Sequence, residues 1–235
     1  MKKLLLLTLV FATLMGANPA SADDGFYVVA IGGVGTKITS LPYTINSPGF
    51  YYLGGNFTLD SGNGITVNID NVTIDLMGFC LSGNGKGYGI VIEDRKNVEI
   101  RNGTLCGWNM GINNFGSKSS GNRVINIRAQ GNSTGIQLAG FGSLVKGCTA
   151  IDNQLDGITV LHVGTISNNV VNNCLSGIVC NGGSVIGNTV TCNNGQTGFL
   201  LTDDKSLMMD QNTVSGDGTH KSGGDGATYG TNAGF

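Results

Sequence analysis

The sequence predicts an all-β solenoid: about seven stacked coils of short parallel strands, with a cap at the N-terminal end. Three observations predict it. A glycine followed by a bulky apolar residue recurs at nearly even spacing. The pairs are Gly64-Ile65, Gly89-Ile90, Gly111-Ile112, Gly135-Ile136, Gly157-Ile158, Gly177-Ile178 and Gly198-Phe199, at intervals of 25, 22, 24, 22, 20 and 21 residues. A period of that size marks one supersecondary unit stacked on itself. The chain also holds 40 glycines in 235 residues with only 12% charged residues, and it is rich in asparagine. Glycine and asparagine are the residues that accept the left-handed backbone of tight turns. Finally, no window keeps apolar residues at the i, i+3, i+4, i+7 spacing of an amphipathic helix.

Taken in order, residues 1–22 read as an export signal. Lys2 and Lys3 form the charged start, Leu4 to Met15 the apolar stretch, and Ala20-Ser21-Ala22 the cleavage site. The apolar run is too short to span a bilayer, and no later run is longer. The mature chain is therefore expected to be secreted or periplasmic, cleaved after Ala22, with no membrane insertion. Residues 23–60 read as the N-terminal cap. They carry Pro42 and Pro48 and an irregular aromatic cluster of Phe50, Tyr51, Tyr52 and Phe57. Such a cap protects the open end of a solenoid from edge pairing.

Residues 61–214 are the coils. Each Gly-apolar pair opens an alternating strand, with Ile65/Val67, Ile90/Ile92, Ile136/Leu138, Ile158/Val160, Ile178/Cys180 and Phe199/Leu201 pointing inward. A second strand follows in most coils, as in Val72-Thr-Ile-Asp-Leu, Val98-Glu-Ile-Arg, Val124-Ile-Asn-Ile-Arg, Leu144-Val-Lys and Val185-Ile-Gly-Asn-Thr-Val. Asparagine-rich turns such as Asn168-Asn169, Asn172-Asn173 and Asn193-Asn194 close the coils. Residues 215–235 form a glycine-rich tail without a core pattern, either covering the last coil or disordered.

Charge excludes two partner classes. Leaving out Lys2 and Lys3 brings the 13 basic residues to 11, against 15 acidic ones, a formal charge of −4. No basic footprint for nucleic acid and no polybasic membrane patch is present.

The Gly-Ile-x-Val strands, Asn97-Val-Glu-Ile-Arg-Asn and Ser184-Val-Ile-Gly-Asn-Thr-Val resemble the right-handed parallel β-helix repeats of the pectate-lyase-like superfamily. The stretch Thr39-Ser-Leu-Pro-Tyr-Thr-Ile-Asn-Ser-Pro-Gly-Phe-Tyr-Tyr-Leu is similar to the entry segment of exported bacterial members. The resemblance covers about residues 36–214 and implies the fold and, together with the crossover rule, its right hand. It leaves activity open, because the superfamily includes lyases, hydrolases, epimerases, tailspikes and members with no known activity.

Six cysteines in an exported chain raise the question of disulfides. Aligning Ile74 with Ile100 places Cys80 on Cys106 in the next coil, within disulfide reach. The pair is expected either as a disulfide or as two stacked thiols. Cys174 and Cys192 disagree in register by about two residues, and Cys148 and Cys180 read as core filler. No C-x-x-C occurs, and His162 and His220 stand alone, so no metal site is expected.

Lyases of this superfamily hold calcium with Asp carboxylates on an outer face and use Arg or Lys as base. The matching feature is a column of Asp75, Arg101, Arg128 and Lys146 that stacking the second strands would form. It reads as a groove for acidic glycans or as a ladder of solubilising charges with an Asp75–Arg101 pair. The column has one carboxylate, whereas calcium wants several oxygens, so no cofactor is expected unless that lyase activity holds. Hydrolases of this fold pair acids near strand ends. Asp203-Asp204 could take that place but reads as a solvated turn. Asp217 and Asp225, each between glycines, lack the nine-residue period of calcium coils.

Binding without chemistry needs aromatic platforms and planar polar groups. Trp108 sits at a turn, and Asn113, Gln137 and Thr159 occupy outward strand positions that stack into a neutral polar ladder. Trp108 either stacks on a sugar face or packs beneath its turn. The leading expectation is a non-enzymatic exported module that binds polysaccharide or another repetitive surface, such as a cell-surface glycan, through its flat faces. The alternatives are a calcium-assisted polysaccharide lyase and a purely structural envelope or matrix rod.

Overall fold

The computed structural model describes residues 35–202, 207–223 and 227–234. The expected export signal, the start of the expected cap, Asp203, Asp204 and Asp225 lie outside the described residues. The chain divides into two units, Met1–Val34 and Gly35–Phe235, and the second carries every element below.

This unit is a parallel β-solenoid without a helix among its described residues. Its first face is a nine-stranded sheet, in the order Tyr43–Ile45, Ile65–Val67, Tyr88–Glu93, Met110–Phe115, Thr134–Leu138, Asp156–Val160, Ser176–Cys180, Thr197–Leu201 and Thr219–Gly223. Seven of these strands carry the Gly-apolar signature, and their apolar residues fall in register: Ile65, Ile90, Ile112, Ile136, Ile158, Ile178 and Phe199 form one column. All are fully buried. The glycines before them are forced by crowding. A β-carbon on Gly135 would come within 2.5 Å of the Gly157 carbonyl oxygen on the next coil.

The other two faces belong to one 16-stranded sheet that bends. The second face runs through Thr36–Ile38, Gly49–Leu53, Val72–Asp75 and the start of Val98–Cys106 and Arg123–Gln130. It continues with Ser143–Lys146, Gly164–Ser167, Gly183–Ile186, Leu207–Asp210 and Thr228–Tyr229. The third face runs through Phe57–Thr58, Cys80–Ser82, the ends of those two long strands, and then Thr149–Ile151, Val170–Asn172, Thr189–Thr191 and Thr213–Ser215. Inside, Leu81, Leu105, Ala129, Ala150, Val171, Val190 and Val214 close the core beneath the third face.

Strands add to the sheets at both ends of the coils. Within residues 36–58, Thr36–Ile38 pairs with Gly49–Leu53, and Tyr43–Ile45 adds in register to Ile65–Val67. In the expected tail, Thr219–Gly223 adds to Thr197–Leu201 and Thr228–Tyr229 to Leu207–Asp210. The terminal coils escape the sequence pattern because their strands, Tyr-Thr-Ile and Thr-His-Lys-Ser-Gly, lack the Gly-apolar pair.

Corners are built from asparagine. At the bend from the second to the third face, Asn102, Asn126, Gly147, Asn168 and Gly187 adopt left-handed φ values of 53–66°. One position per coil must turn this way, and a β-carbon on Gly147 would lie 2.6 Å from the Asn126 Oδ1 below.

Behind the bends run buried asparagine ladders. Asn188 Oδ1 accepts from Asn169 N and Nδ2, at 3.0 and 2.9 Å. Its own Nδ2 donates to Ile166 O and Asn212 Oδ1, both at 2.9 Å. Asn212 repeats the pattern with Asn232. A second ladder joins Asn132 and Asn153. Each side chain supplies the donor and acceptor that the turning backbone lacks.

Both ladders run into a cysteine. Cys148 N donates to Asn169 Oδ1 at 2.8 Å, and Asn153 Nδ2 contacts Cys174 Sγ at 3.8 Å. A thiol cannot continue the amide pairing, so Cys148 and Cys174 are ladder ends as well as core. Burial pushes the Cys148 thiol up from 9.0 to about 12, and raises Cys174 and Cys180 likewise. A thiol raised in the folded state stabilises the fold fully below its unfolded value, and that stability is lost as pH rises through the folded value. Stability should therefore fall from about pH 9 toward pH 12, by about 1.4 kcal/mol per pH unit for Cys148 alone. Urea unfolding at pH 8 and pH 10 measures it, and Cys148→Ala should flatten part of the slope.

Candidate functional site

Outward positions alternate with core positions on every strand, so each face carries straight rows of side chains. On the first face, Asn113, Gln137 and Thr159 do share one row, continued by Val179 and Leu200. The expected exposed ladder is nevertheless closed: the three residues are 2%, 8% and 3% exposed. Thr159 Oγ1 donates to Asp156 Oδ2 at 3.1 Å, whereas Asn113 Oδ1 and Gln137 Nε2 have no partner. Trp108 is not a platform either. It is 1% exposed, its Nε1 donates to Leu81 O at 3.0 Å, and a β-carbon on Gly83 would lie 2.6 Å from the indole ring. The indole fills the core of the early coils because Gly83, Gly64 and Gly89 leave room for it.

On the second face the expected charge column divides. Asp75 pairs with Arg101 in register, and their side chains meet at 2.8 Å. The next residue in that row is Ile125, followed by Lys146, while Arg128 stands opposite Thr104 and Thr149 on the third face. Arg123–Gln130 is an eight-residue strand that crosses the bend, and its partner for Ile100 is Val124, not Ile127. Arg128 could join the Asp75–Arg101 row only with Ile127 opposite Ile100, and Ile127 stands opposite Gly103 instead.

Arg101 also bonds Glu99 at 3.0 Å, Arg123 bonds the other Glu99 oxygen at 3.0 Å, and the Arg101 guanidinium lies 5.7 Å from the Phe50 ring centre. Burial alone would pull the Arg101 pKa down. The bonds and charges of Asp75 and Glu99 outweigh it and raise the pKa further. A catalytic base must release its proton, and these carboxylates hold it in place. The Asp75 oxygens accept from Met77 N, Arg101 Nε and Asn102 Nδ2, at 2.9, 2.8 and 3.0 Å. Asp75 pins a turn and an ion pair, and these residues do not fit a calcium site, which needs free oxygens from several groups.

The third face is different in kind. One outward row reads Cys80, Thr104, Arg128, Thr149, Val170, Thr189 and Thr213. Beside it, two residues along each strand, runs Ser82, Cys106, Gln130, Ile151, Asn172, Thr191 and Ser215. Arg128 is the one charged residue in the two rows. Arg128, Gln130, Val170, Asn172, Thr189, Thr213 and Ser215 are exposed. Clefts flank this face on both sides. One of about 320 Å³ at the bend is lined by Thr104, Asn126, Arg128 and Thr149. One of about 410 Å³ at the far ends of the strands is lined by Asp152, Asn173, Asn194 and Gln196. In the latter, Asn173 Nδ2 donates to Asp152 Oδ1 at 2.8 Å and Gln196 Nε2 to Asn173 Oδ1 at 3.0 Å. The sequence pattern passed over this face because its strands are three-residue pieces directly behind turns. Their only signal is an x-apolar-x triplet, as in Thr149-Ala-Ile151, Thr189-Val-Thr191 and Thr213-Val-Ser215.

At the top of the same face, Cys80 and Cys106 are free thiols with sulphurs 3.2 Å apart. Their register differs from expectation: Cys80 stands opposite Thr104, and Cys106 opposite Ser82. Two extra residues in the earlier coil, in a turn where Met77 and Gly78 have φ of 53° and 82°, shift the offset between these coils from 26 to 24.

The family comparison agrees with this architecture. Residues 56–218 match the model of the right handed beta helix region, and the chain belongs to that family. Comparison with curated proteins and with solved structures returns no match. The fold is thus a right-handed parallel β-helix, and its hand comes with the family.

Proposed function

We propose that this protein is a non-catalytic exported module that lays an extended polysaccharide along its third face. What supports the reading is the character of that face: two straight, nearly uncharged rows, part-exposed to exposed, in which hydroxyl and amide side chains predominate around Ile151 and the exposed Val170, with a cleft on either side. Rungs about 4.8 Å apart present these groups at a fixed repeat, which suits a ligand whose own hydroxyls repeat. The expected export signal of residues 1–22 supports a ligand outside the cytoplasm, such as a cell-surface or matrix glycan. Sedimentation with insoluble polysaccharides and a glycan array test the reading. The combined Asn172→Ala, Thr189→Ala and Thr191→Ala change should weaken retention at least about tenfold, since each lost hydrogen bond contributes about 0.5–1.5 kcal/mol. Its melting temperature should stay unchanged. Retention unaffected by the triple change would sink the reading. Release of unsaturated sugar ends, lost on Arg101→Ala, would replace it with a lyase.

A further inference from the structure

We propose that Cys80 and Cys106, with Ser82 between them, form a capture site for a soft monovalent d10 cation, of which Cu(I) is the physiological example. The inference stands apart from the glycan reading. Three observations carry it. The two sulphurs and the Ser82 Oγ form a triangle, with Cys80 Sγ to Cys106 Sγ 3.2 Å, Cys80 Sγ to Ser82 Oγ 3.3 Å and Cys106 Sγ to Ser82 Oγ 3.2 Å. Cys80 and Cys106 are half-exposed, whereas Cys148, Cys174, Cys180 and Cys192 are buried. The two cysteines are also staggered by two positions across neighbouring strands.

The stagger decides between a direct bond and a bridging ion. Neighbouring strands lie about 4.8 Å apart, and two residues rise about 6.6 Å, so the two Cα atoms are roughly 8 Å apart. A disulfide needs Cα atoms within about 7 Å and sulphurs at about 2.05 Å, so it would have to pull the rungs together. Metal–sulphur bonds of about 2.3 Å, as in thiolate zinc sites, let two sulphurs sit up to roughly 4.6 Å apart across an ion. Capturing an ion therefore asks the sulphurs only to open from their present contact, which side-chain rotation supplies. Thiolates select soft cations, and two thiolates satisfy a two-coordinate ion, with the Ser82 hydroxyl beside it. From the sequence no metal site is expected, because no C-x-x-C occurs and the histidines stand alone; the Ser82–Cys106 contact comes from the shifted register of the folded coil.

Binding breaks two S–H bonds and forms two metal–sulphur bonds. Two protons go to solvent, and no electron is transferred, so binding tightens as pH rises. The test titrates the reduced full chain with silver(I) in chloride-free buffer, read by native mass spectrometry and by alkylation mapping. The expected result is one tightly held silver ion per chain that protects Cys80 and Cys106 from iodoacetamide. Cys80→Ser and Cys106→Ser should each weaken that first ion at least about tenfold, and Ser82→Ala a few-fold. Protection mapping in the unaltered chain keeps the test valid should a variant misfold. Either serine variant binding as tightly as the wild type would overturn the proposal. So would ready closure of a Cys80–Cys106 disulfide by oxidised glutathione, which would show that the stagger is no barrier.

Discussion

An Asn188→Ala protein should be less stable than the wild type by about 3 kcal/mol or more in urea unfolding at neutral pH. The side chain is 1% exposed and makes four hydrogen bonds, two accepted from Asn169 and two donated, to Ile166 O and Asn212 Oδ1. Alanine strands the Asn169 backbone N–H, leaves the Asn169 amide with its bond to Val145 O alone, and removes the side-chain donor to the Ile166 carbonyl. Each buried group left unpaired costs about 1–3 kcal/mol. The loss should spread along the ladder, because a polar network loses more than the sum of its parts when one member goes. Hydrogen exchange should show the coils around Asn169 and Asn212 opening first, as expected of a solenoid held by nearest-neighbour contacts. Asn172→Ala is the control. That asparagine is exposed on the third face, and its loss should change stability by no more than about 0.5 kcal/mol. Equal effects at the two positions would show that the ladder is not what holds the corner.

Trp108→Ala should cost a comparable amount, about 3–5 kcal/mol, from the cavity an indole leaves in a packed core. The loss of the bond to Leu81 O adds to it. Trp108→Phe keeps most of the volume and drops the bond, so its cost should be nearer 1–2 kcal/mol. The same pair of variants separates core from platform. Were Trp108 a sugar platform, alanine would abolish glycan retention and leave stability alone. The buried ring predicts the opposite: stability falls, and the folded fraction of Trp108→Phe retains glycan as the wild type does.

Much of this architecture is written locally. The Gly-Ile-x-Val pattern marks each strand of the first face, because a period-2 strand buries alternate residues and the crowded coil entry excludes a β-carbon. The second strands are legible for the same reason, through Val72/Ile74 and Val98/Ile100. The site was less legible. Asn113, Gln137 and Thr159 stack as their spacing indicates, but spacing carries no information on exposure, and the row is closed. Trp108 could not be placed by its turn alone, because the space that takes it is made by Gly64, Gly83 and Gly89 on other coils.

By itself the sequence determined the repeat, the all-β class, the core residues of the first two faces and the stacking of Asp75 on Arg101. All of these follow from alternation within one coil and a near-constant period between coils. The tertiary structure alone decided register across the bends. Two residues in the turn at Met77 and Gly78 set Cys80 opposite Thr104, and the long strand through Arg123–Gln130 carries Arg128 from the second face to the third. Coil length varies by a few residues where turns absorb them, so the row a side chain joins depends on where the extra residues sit. That is settled by which backbone hydrogen bonds close between coils, and it is invisible to any count along the chain.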